Sequence, residues 1–464
     1  MNKVIDTPAQ AIADIQNGAT VAIAGFGVDH GFASSLISAL RDKGVTDLTI
    51  VCNSLGDPGA IRGQILAESK QIKKLVAAFS VRPGTITAGA EQIRAGTMDV
   101  ELVPQGILVE RCRAGGAGIP AFYSPTGVDT DLMKGRELRY FNGKPHVLEE
   151  AIHLDYAFLR GYRADPLGNV QFRGGNQNFN PSFAKAAKVA IVEVDEIVEV
   201  GGIPPELVDL PGIFVKRVLK TTHKVDSKIA RKTGRRPAEA ARSYNGKPAI
   251  TRAAIAKNAA KIIRDGTYVN LGTGIPTLVA NYLQERDVML HAENGILGYS
   301  RIVTEESEID PDIYNAAGQF VSLKPGASFF DSVTSFEMAR GGHIDAVILG
   351  AYEVDQTASV ANWSTADVRQ GGIGGAMDLL SGAGDLIIVM EHMDSKGRPK
   401  LRKQCTYPLT GQGCVTHVVT DLAALRWDGK QFVLYAVAPG FTAEEVIGLT
   451  EMPVVAAPDV ATMA

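Results

Sequence analysis

Cysteine is scarce in this chain. There are four in 464 residues, and Cys52, Cys112, Cys405 and Cys414 fall into neither CxxC nor zinc-ligand spacing. That scatter excludes a disulfide scaffold, and a reducing compartment, the cytoplasm, is the expectation. Long apolar runs are missing as well: none reaches the roughly 20 residues that cross a bilayer. There is no excess of one charge, since 47 Lys and Arg stand against 51 Asp and Glu, a net of -4. Such a balance leaves no electrostatic footprint for nucleic acid or an anionic membrane, and neither is expected as a partner. The eight histidines show no HExxH or paired spacing, so no metal is expected. No Ser or Cys sits in a GxSxG elbow. Neither a GxGxxG with its acidic follower nor a GxxxxGK[ST] loop occurs, which removes the usual dinucleotide and phosphate-loop signatures. A signal-peptide pattern is also lacking. Thr7-Pro8-Ala9-Gln10 reads instead as an N-cap, a Pro at the first helical position and a capping-box Gln, the start of a mature helix.

What is present is glycine, 49 residues of it, in an otherwise ordinary globular composition that is 45% hydrophobic and 21% charged. A chain of this length needs more than one core. Apolar strand-like runs alternate with helix-like stretches: VAIAGFG (21–27), SSLISALRDKG (34–44), LTIVCNSLG (48–56). That alternation predicts βαβ units around a mostly parallel sheet. The pattern occurs twice. HLDYAFLRGYRADPLGNV from His153 matches HIDAVILGAYEVDQTASV from His343, with Leu159, Tyr162, Asp165 and Val170 answering Leu349, Tyr352, Asp355 and Val360 at a constant offset (343 − 153 = 190). Upstream, IADIQNGATVAIAGFG (12–27) echoes AKIIRDGTYVNLGTG (260–274), with Gly18 matched to Gly266. Between the halves, residues 221–246 are basic and poor in large apolar side chains, the composition of an exposed linker. The expectation is an α/β chain of two homologous, open, mostly parallel α/β domains, residues 1–220 and 247–464, with ligands at the carboxyl ends of strands.

Glycine-rich segments fall at those strand ends: Gly25-Phe26-Gly27, Gly272-Thr273-Gly274, and Gly371-Gly372-Ile373-Gly374-Gly375. Glycine lets a ligand touch backbone, and a helix that follows favours anions. The last cluster can present bare N–H groups, the requirement of an oxyanion hole. At HAENGILGYS (291–300), Glu293 ends an apolar strand just before Asn294-Gly295, a hairpin signal in which both residues accept positive φ. A carboxylate is ionised near neutral pH without a helper base and can act as a nucleophile. It is a weak one and needs an activated acyl group. A thioester qualifies, because a thiol of pKa about 8.5 leaves as thiolate. His291 shares a strand face with Glu293 and reads as a packed structural residue.

The chain resembles family I coenzyme A transferases of the 3-oxoacid (succinyl-CoA:acetoacetate) type, with α and β parts fused, on a NagB/RpiA/CoA-transferase-like fold. The resemblance is carried by GFG (25–27), VPQGILVERCRAGGAGIPAFYSPTG (103–127), PGIFVKRV (211–218), NLGTGIPTLVANYL (270–283), ENGILG (293–298), FFDSVTSFEMARGGHID (329–345), GGAMDL (374–379) and CTYPLTGQGCV (405–415). It implies ping-pong exchange of CoA between an acyl-CoA and a free carboxylic acid, with Glu293 as catalytic residue. Coenzyme A would serve as substrate and as a covalent glutamyl-CoA intermediate, with no permanently bound cofactor. Asn53 and Gly375 carry over as oxyanion donors. Gly25, Gly27, Gln105, Gly272, Gly274, Gly295 and Gly374 are the expected CoA or substrate contacts. A homodimer or homotetramer and a role in ketone body or short-chain acid metabolism are further implications. The chain departs from the family pattern at Ala33, Ser54, Gly318 and 364–368, positions that bear on which acids are exchanged. Two other readings stand beside transfer: a thioesterase using the same Glu293, and a non-catalytic CoA- or sugar-phosphate-sensing module.

Overall fold

The computed structural model describes residues 1–81, 86–223, 241–365 and 371–464. Most of the expected linker, 224–240, lies outside them, as do 366–368 of the departing segment. Two sheets organise the chain. The first holds β1 (Thr20–Ile23), β2 (Leu48–Ser54), β3 (Ile72–Phe79), β4 (Asp99–Leu102), β5 (Leu154–Ala164), β6 (Ala187–Ile197) and β7 (Val215–Lys220) in the order β7-β6-β5-β1-β2-β3-β4. Every pairing along that path is parallel. The second holds β8 (Thr267–Leu271), β9 (Val288–Ala292), β10 (Ile296–Ile302), β11 (Val321–Phe329), β12 (Ala346–Leu349), β13 (Asp385–Val389), β14 (His417–Val419), β15 (Ala423–Trp427), β16 (Phe432–Val437) and β17 (Val454–Thr462). Its order is β11-β10-β9-β8-β12-β13-β14-β15-β16-β17. The central strands, from β9 across to β14, are parallel, and hairpins extend the sheet antiparallel on both sides. The last strand, β17, returns parallel to β16.

Strand registers bear out the internal repeat. Ala22 of β1 pairs with Val51 and Ala157, and Asn270 of β8 pairs with His291 and Val347. Ala157 and Val347 are therefore counterparts, at the offset of 190 read from sequence (347 − 157). The repeated aspartates do the same work twice. Asp155 accepts the Thr20 N–H at 3.0 Å and Asp345 the Tyr268 N–H at 2.8 Å. Asp165 accepts from Leu167 and Asn169, and Asp355 from Thr357 and Ser359, so each closes a turn two and four residues on.

Alternation along the strands sorts side chains into layers. Val21, Ile23, Ile50 and Cys52 pack outward against the helices that carry Leu36, Ile37, Ile65 and Leu66. Val269, Leu271, Leu290 and Ala292 pack outward in the second half against Ile255, Ala259 and Val279. The opposite faces share one core, in which Ala22, Val51, Val347 and Ile388 meet Ile107, Phe183, Phe336 and Leu379. Helices α2 (Gln105–Gly116), Asn180–Ala186, α3 (Ser332–Arg340) and α4 (Ala376–Gly382) supply that middle layer. The helix expected at the N-terminus forms as one turn, Pro8–Ala11, with the Thr7 side chain capping the Gln10 N–H. The described end of the linker segment is not exposed throughout: Tyr244 is buried and its hydroxyl donates to Asp421 Oδ2 at 2.8 Å. No described helix is long and apolar enough to cross a membrane.

Candidate active site

Period-two alternation sets which way the site residues face. Leu290 and Ala292 point into the outer core of the second half, so His291 and Glu293 point into the layer between the sheets. By the same rule Val51 and Asn53 face that layer from the first half. The registers make Val51 and His291 counterparts, so Asn53 and Glu293, each two residues on, occupy equivalent strand ends. The duplicated fold thus carries an amide on one half where it carries a carboxylate on the other.

Glu293 is 8% exposed, and its Oε2 accepts from Asn270 Nδ2 at 3.1 Å. Burial holds its carboxyl above the usual range, and hydrogen bonds from its own backbone and Asn270 pull partly back. Facing a carboxylate, the Asn270 amide must turn its NH2 inward, and its Oδ1 is left unpartnered. Asn270 Nδ2 is also 3.0 Å from His291 Nδ1, and His291 Nε2 is 3.0 Å from Ser335 Oγ. Burial pushes the imidazole down to about 4, so it is neutral at neutral pH, and it stacks on the Phe330 ring. Ser335, His291 and Asn270 line up as a Ser–His–Asn chain, but all three are fully buried. They scaffold the carboxylate and offer no accessible hydroxyl.

The raised carboxyl has a kinetic consequence. The nucleophile must be ionised, so activity falls as pH drops through its pKa. The acid limb of kcat/KM for acyl-CoA is expected above the ordinary Glu value of about 4.3, and Asn270→Leu should move it higher still. A limb at or below that value in the wild-type pH profile would contradict the assignment.

The Asn-Gly turn departs from the sequence expectation in one respect. Glu293, Asn294 and Gly295 form a three-residue connection between the paired Ala292 and Ile296, and only Gly295 has positive φ, +112°. Asn294 is fully buried, not solvated, and its Nδ2 donates to the Tyr314 carbonyl at 2.8 Å. A Cβ on Gly295 would run into the Phe330 carbonyl oxygen, so this position requires glycine twice over.

The other expected residues fall into groups. Gln105 opens α2, and its Nε2 donates to Asn53 Oδ1 at 2.8 Å while its N–H donates to the Gly374 carbonyl at 2.9 Å. The segment 371–374 runs along the end of β3, with Ile373 N–H to the Ala78 carbonyl and Ser80 N–H to the Gly371 carbonyl, both 3.0 Å. That contact carries Gly375 of the second half to the first. A Cβ there would sit 2.9 Å from Phe336 and 3.0 Å from Gln105 Oε1. Asn53, Gln105, Gly374 and Gly375 are thus brought together, with Asn53 Nδ2 and the Gly375 N–H free of partners among the described residues. Glu293 joins this group through α3: Ser335 holds His291, and the next residue, Phe336, packs on Gly375. Gly272 and Gly274 follow β8, two and four residues beyond Asn270. Gly272 packs under Leu349, and the space around Gly274 is open.

Gly25 and Gly27 differ from expectation. The Phe32 ring occupies the Cβ position of Gly25, and Tyr314 of the second half packs on Gly27, so protein makes the close approach there. The helix after this loop, α1 (Ser34–Lys43), does not hold an anion site either. The fully buried Glu193 accepts from its first N–H groups, Ser35 at 3.0 Å and Leu36 at 3.2 Å. Sequence reading passed over Asn270, although an Asn inside the apolar strand YVNLG was a visible signal, and over Asp378 and Arg340, described below. Among the described residues no cluster of His, Cys, Asp or Glu could hold a metal.

Two α/β halves meeting on a shared helical layer are the fold of the acyl-CoA transferases. An Escherichia coli O157:H7 acyl-CoA transferase (YdiF) superimposes over 100% of this chain and 95% of its own, with a TM-score of 0.82 at 20% identity. The chain belongs to the coenzyme A transferase family, which matches residues 5–221 and 252–449. Rat mitochondrial succinyl-CoA:3-ketoacid coenzyme A transferase 2A is 41% identical over 97% of this chain and 88% of its own length. One of the separately encoded subunits of the Helicobacter pylori succinyl-CoA:3-ketoacid coenzyme A transferase is 43% identical over 51% of this chain and 99% of its own. The protein is therefore an enzyme that moves CoA between an acyl-CoA and an acid, with α and β parts fused in one chain. The cytoplasmic expectation is corrected by the same relatives, since the rat, mouse and human proteins are named mitochondrial. Scattered free cysteines mark a reducing environment and do not choose between two of them.

Proposed function

We propose that the chain exchanges CoA between a short dicarboxylic acyl-CoA such as succinyl-CoA and a 3-oxo acid, by a ping-pong route through a glutamyl-CoA thioester on Glu293. The substrates follow the names of the relatives, and ketone-body or short-chain acid metabolism is the corresponding setting. The carrying observation is Glu293, buried at a strand end and facing the same layer as Asn53 on the equivalent strand of the other half. Its carboxylate attacks the thioester carbonyl. Asn53 Nδ2 and the Gly375 N–H donate to the oxygen as it gains charge. The C–S bond breaks, CoA leaves as thiolate, and an acyl-glutamyl anhydride remains. The thiolate then attacks the glutamyl carbonyl, releasing the donor acid and leaving glutamyl-CoA. An acceptor carboxylate runs the steps in reverse. Gln105 orients Asn53 at the acyl group, and the Gly272–Gly274 loop, Gly295 and Gly374 border the CoA thiol arm. Binding of the distant nucleotide part helps align the thioester.

The working division is residues 1–220, a connecting segment 221–246 and residues 247–464, with assembly as a homodimer or homotetramer. A panel of free acids tests the transfer itself. CoA release from succinyl-CoA should require an acceptor acid and rise with its concentration. Equal release without any acid would identify a thioesterase instead.

A further inference from the structure

Asp378 is fully buried, three residues past Gly375 in the first turn of α4. Its carboxylate ties together three other segments. Oδ2 accepts the Gly106 N–H at 2.8 Å, and Oδ1 accepts from Arg340 Nη1 at 3.2 Å and Thr126 Oγ1 at 3.3 Å. Arg340 closes α3 and reaches on to Glu110 of α2, Nη2 to Oε2 at 3.5 Å. A Cβ on Gly106 would strike Asp378 and Arg340 together, so the pair sits hard against the first turn of α2. A buried ion pair is poor evidence for stability alone, because losing hydration offsets much of the attraction. Its place in the chain supplies another reason for it.

Gly106 follows Gln105, whose N–H bonds Gly374 at 2.9 Å. Two successive N–H groups of α2, from the first half, are therefore pinned to the loop and helix that carry Gly375, from the second. The Gln105 side chain leaves that anchored turn and holds Asn53 Oδ1, which aims Asn53 Nδ2 away from it. We infer that Asp378, with Arg340 as its counter-ion, is a positioning residue that fixes the spacing of the Asn53 and Gly375 donors across the seam. The inference rests on the oxyanion reading above.

A double-mutant cycle on the full-length enzyme tests it, with kcat, KM and melting temperature measured for each variant. In Asp378→Asn one acceptor oxygen becomes an NH2 that cannot accept from Arg340 or Gly106. The expected result is a fall in kcat of about 10- to 100-fold with KM for acyl-CoA changed less than about threefold. In an Asn53→Ala background the same change should cost less than about threefold, since the donor it positions is gone. Equal losses in both backgrounds would overturn the inference, as would a loss in KM alone. An Asn53→Ala enzyme with unchanged kcat would remove the oxyanion reading itself, a separate and visible failure that takes the inference with it. Should Asp378→Asn not fold, Arg340→Lys keeps a cation beside Asp378 while shortening its reach, and the same non-additivity with Asn53→Ala is expected.

Discussion

Glu293→Gln should bring CoA transfer down by about 10⁴- to 10⁶-fold, the scale set by removal of a covalent nucleophile. Gln matches Glu in shape and still offers an oxygen to Asn270 Nδ2, so the scaffold of Asn270, His291 and Ser335 stays filled. What is lost is the oxygen that forms the anhydride. Glu293→Asp keeps the charge but withdraws it by one methylene, and a displacement near 1 Å costs about 100-fold or more in an aligned reaction. Stability should move the other way. Burial raises the folded-state pKa of Glu293. A carboxyl raised on folding favours the fold when protonated, and that contribution is lost as pH rises through its pKa. At neutral pH the wild type bears a buried carboxylate that Glu293→Gln does not, so the variant should melt at the same temperature or higher. Inactivity with a lowered melting temperature would point to a damaged fold, and near-normal turnover would end the mechanism.

Asn53→Ala should lower kcat by about 100- to 1,000-fold, the usual effect of removing one oxyanion donor. KM for acyl-CoA should change little, because the donor acts on charge that appears only in the tetrahedral state. Asn53→Asp is the sharper variant. It keeps the shape and can still accept from Gln105 Nε2, but it sets a second carboxylate oxygen where the N–H stood. Its loss should equal or exceed that of Asn53→Ala at neutral pH. A change confined to KM in either variant would place Asn53 in ground-state binding and out of the oxyanion hole.

The site was legible where it depends on local pattern, and illegible where it depends on which segments lie side by side. The repeat at an offset of 190 could be seen because the paired aspartates serve the same strand and turn in each half. Glu293 could be seen because a carboxylate ending an apolar strand is conspicuous. The antiparallel hairpins of the second sheet were missed because strand direction depends on the connections and leaves no mark in an apolar run. Asn294 looked like a solvated turn residue, yet Tyr314, 20 residues on, covers it. Asp378 gave no sign at all, since its partners Gly106 and Thr126 are more than 250 residues away in sequence. Gly25 and Gly27 were marked for a ligand by a rule that asks only for a close approach, and Phe32 and Tyr314 satisfy it.

The central claim is that Glu293 itself carries CoA. Incubation with an acyl-CoA donor and no acceptor acid, followed by digestion and mass analysis, tests it most directly. The peptide containing Glu293 should gain the mass of CoA less one water. Borohydride should cleave that adduct, converting the glutamyl carbonyl to an alcohol on this peptide alone, and an added acceptor acid should discharge it before either step. Full transfer activity with an unmodified Glu293 peptide, or an acceptor-sensitive CoA adduct on another residue, would contradict the account.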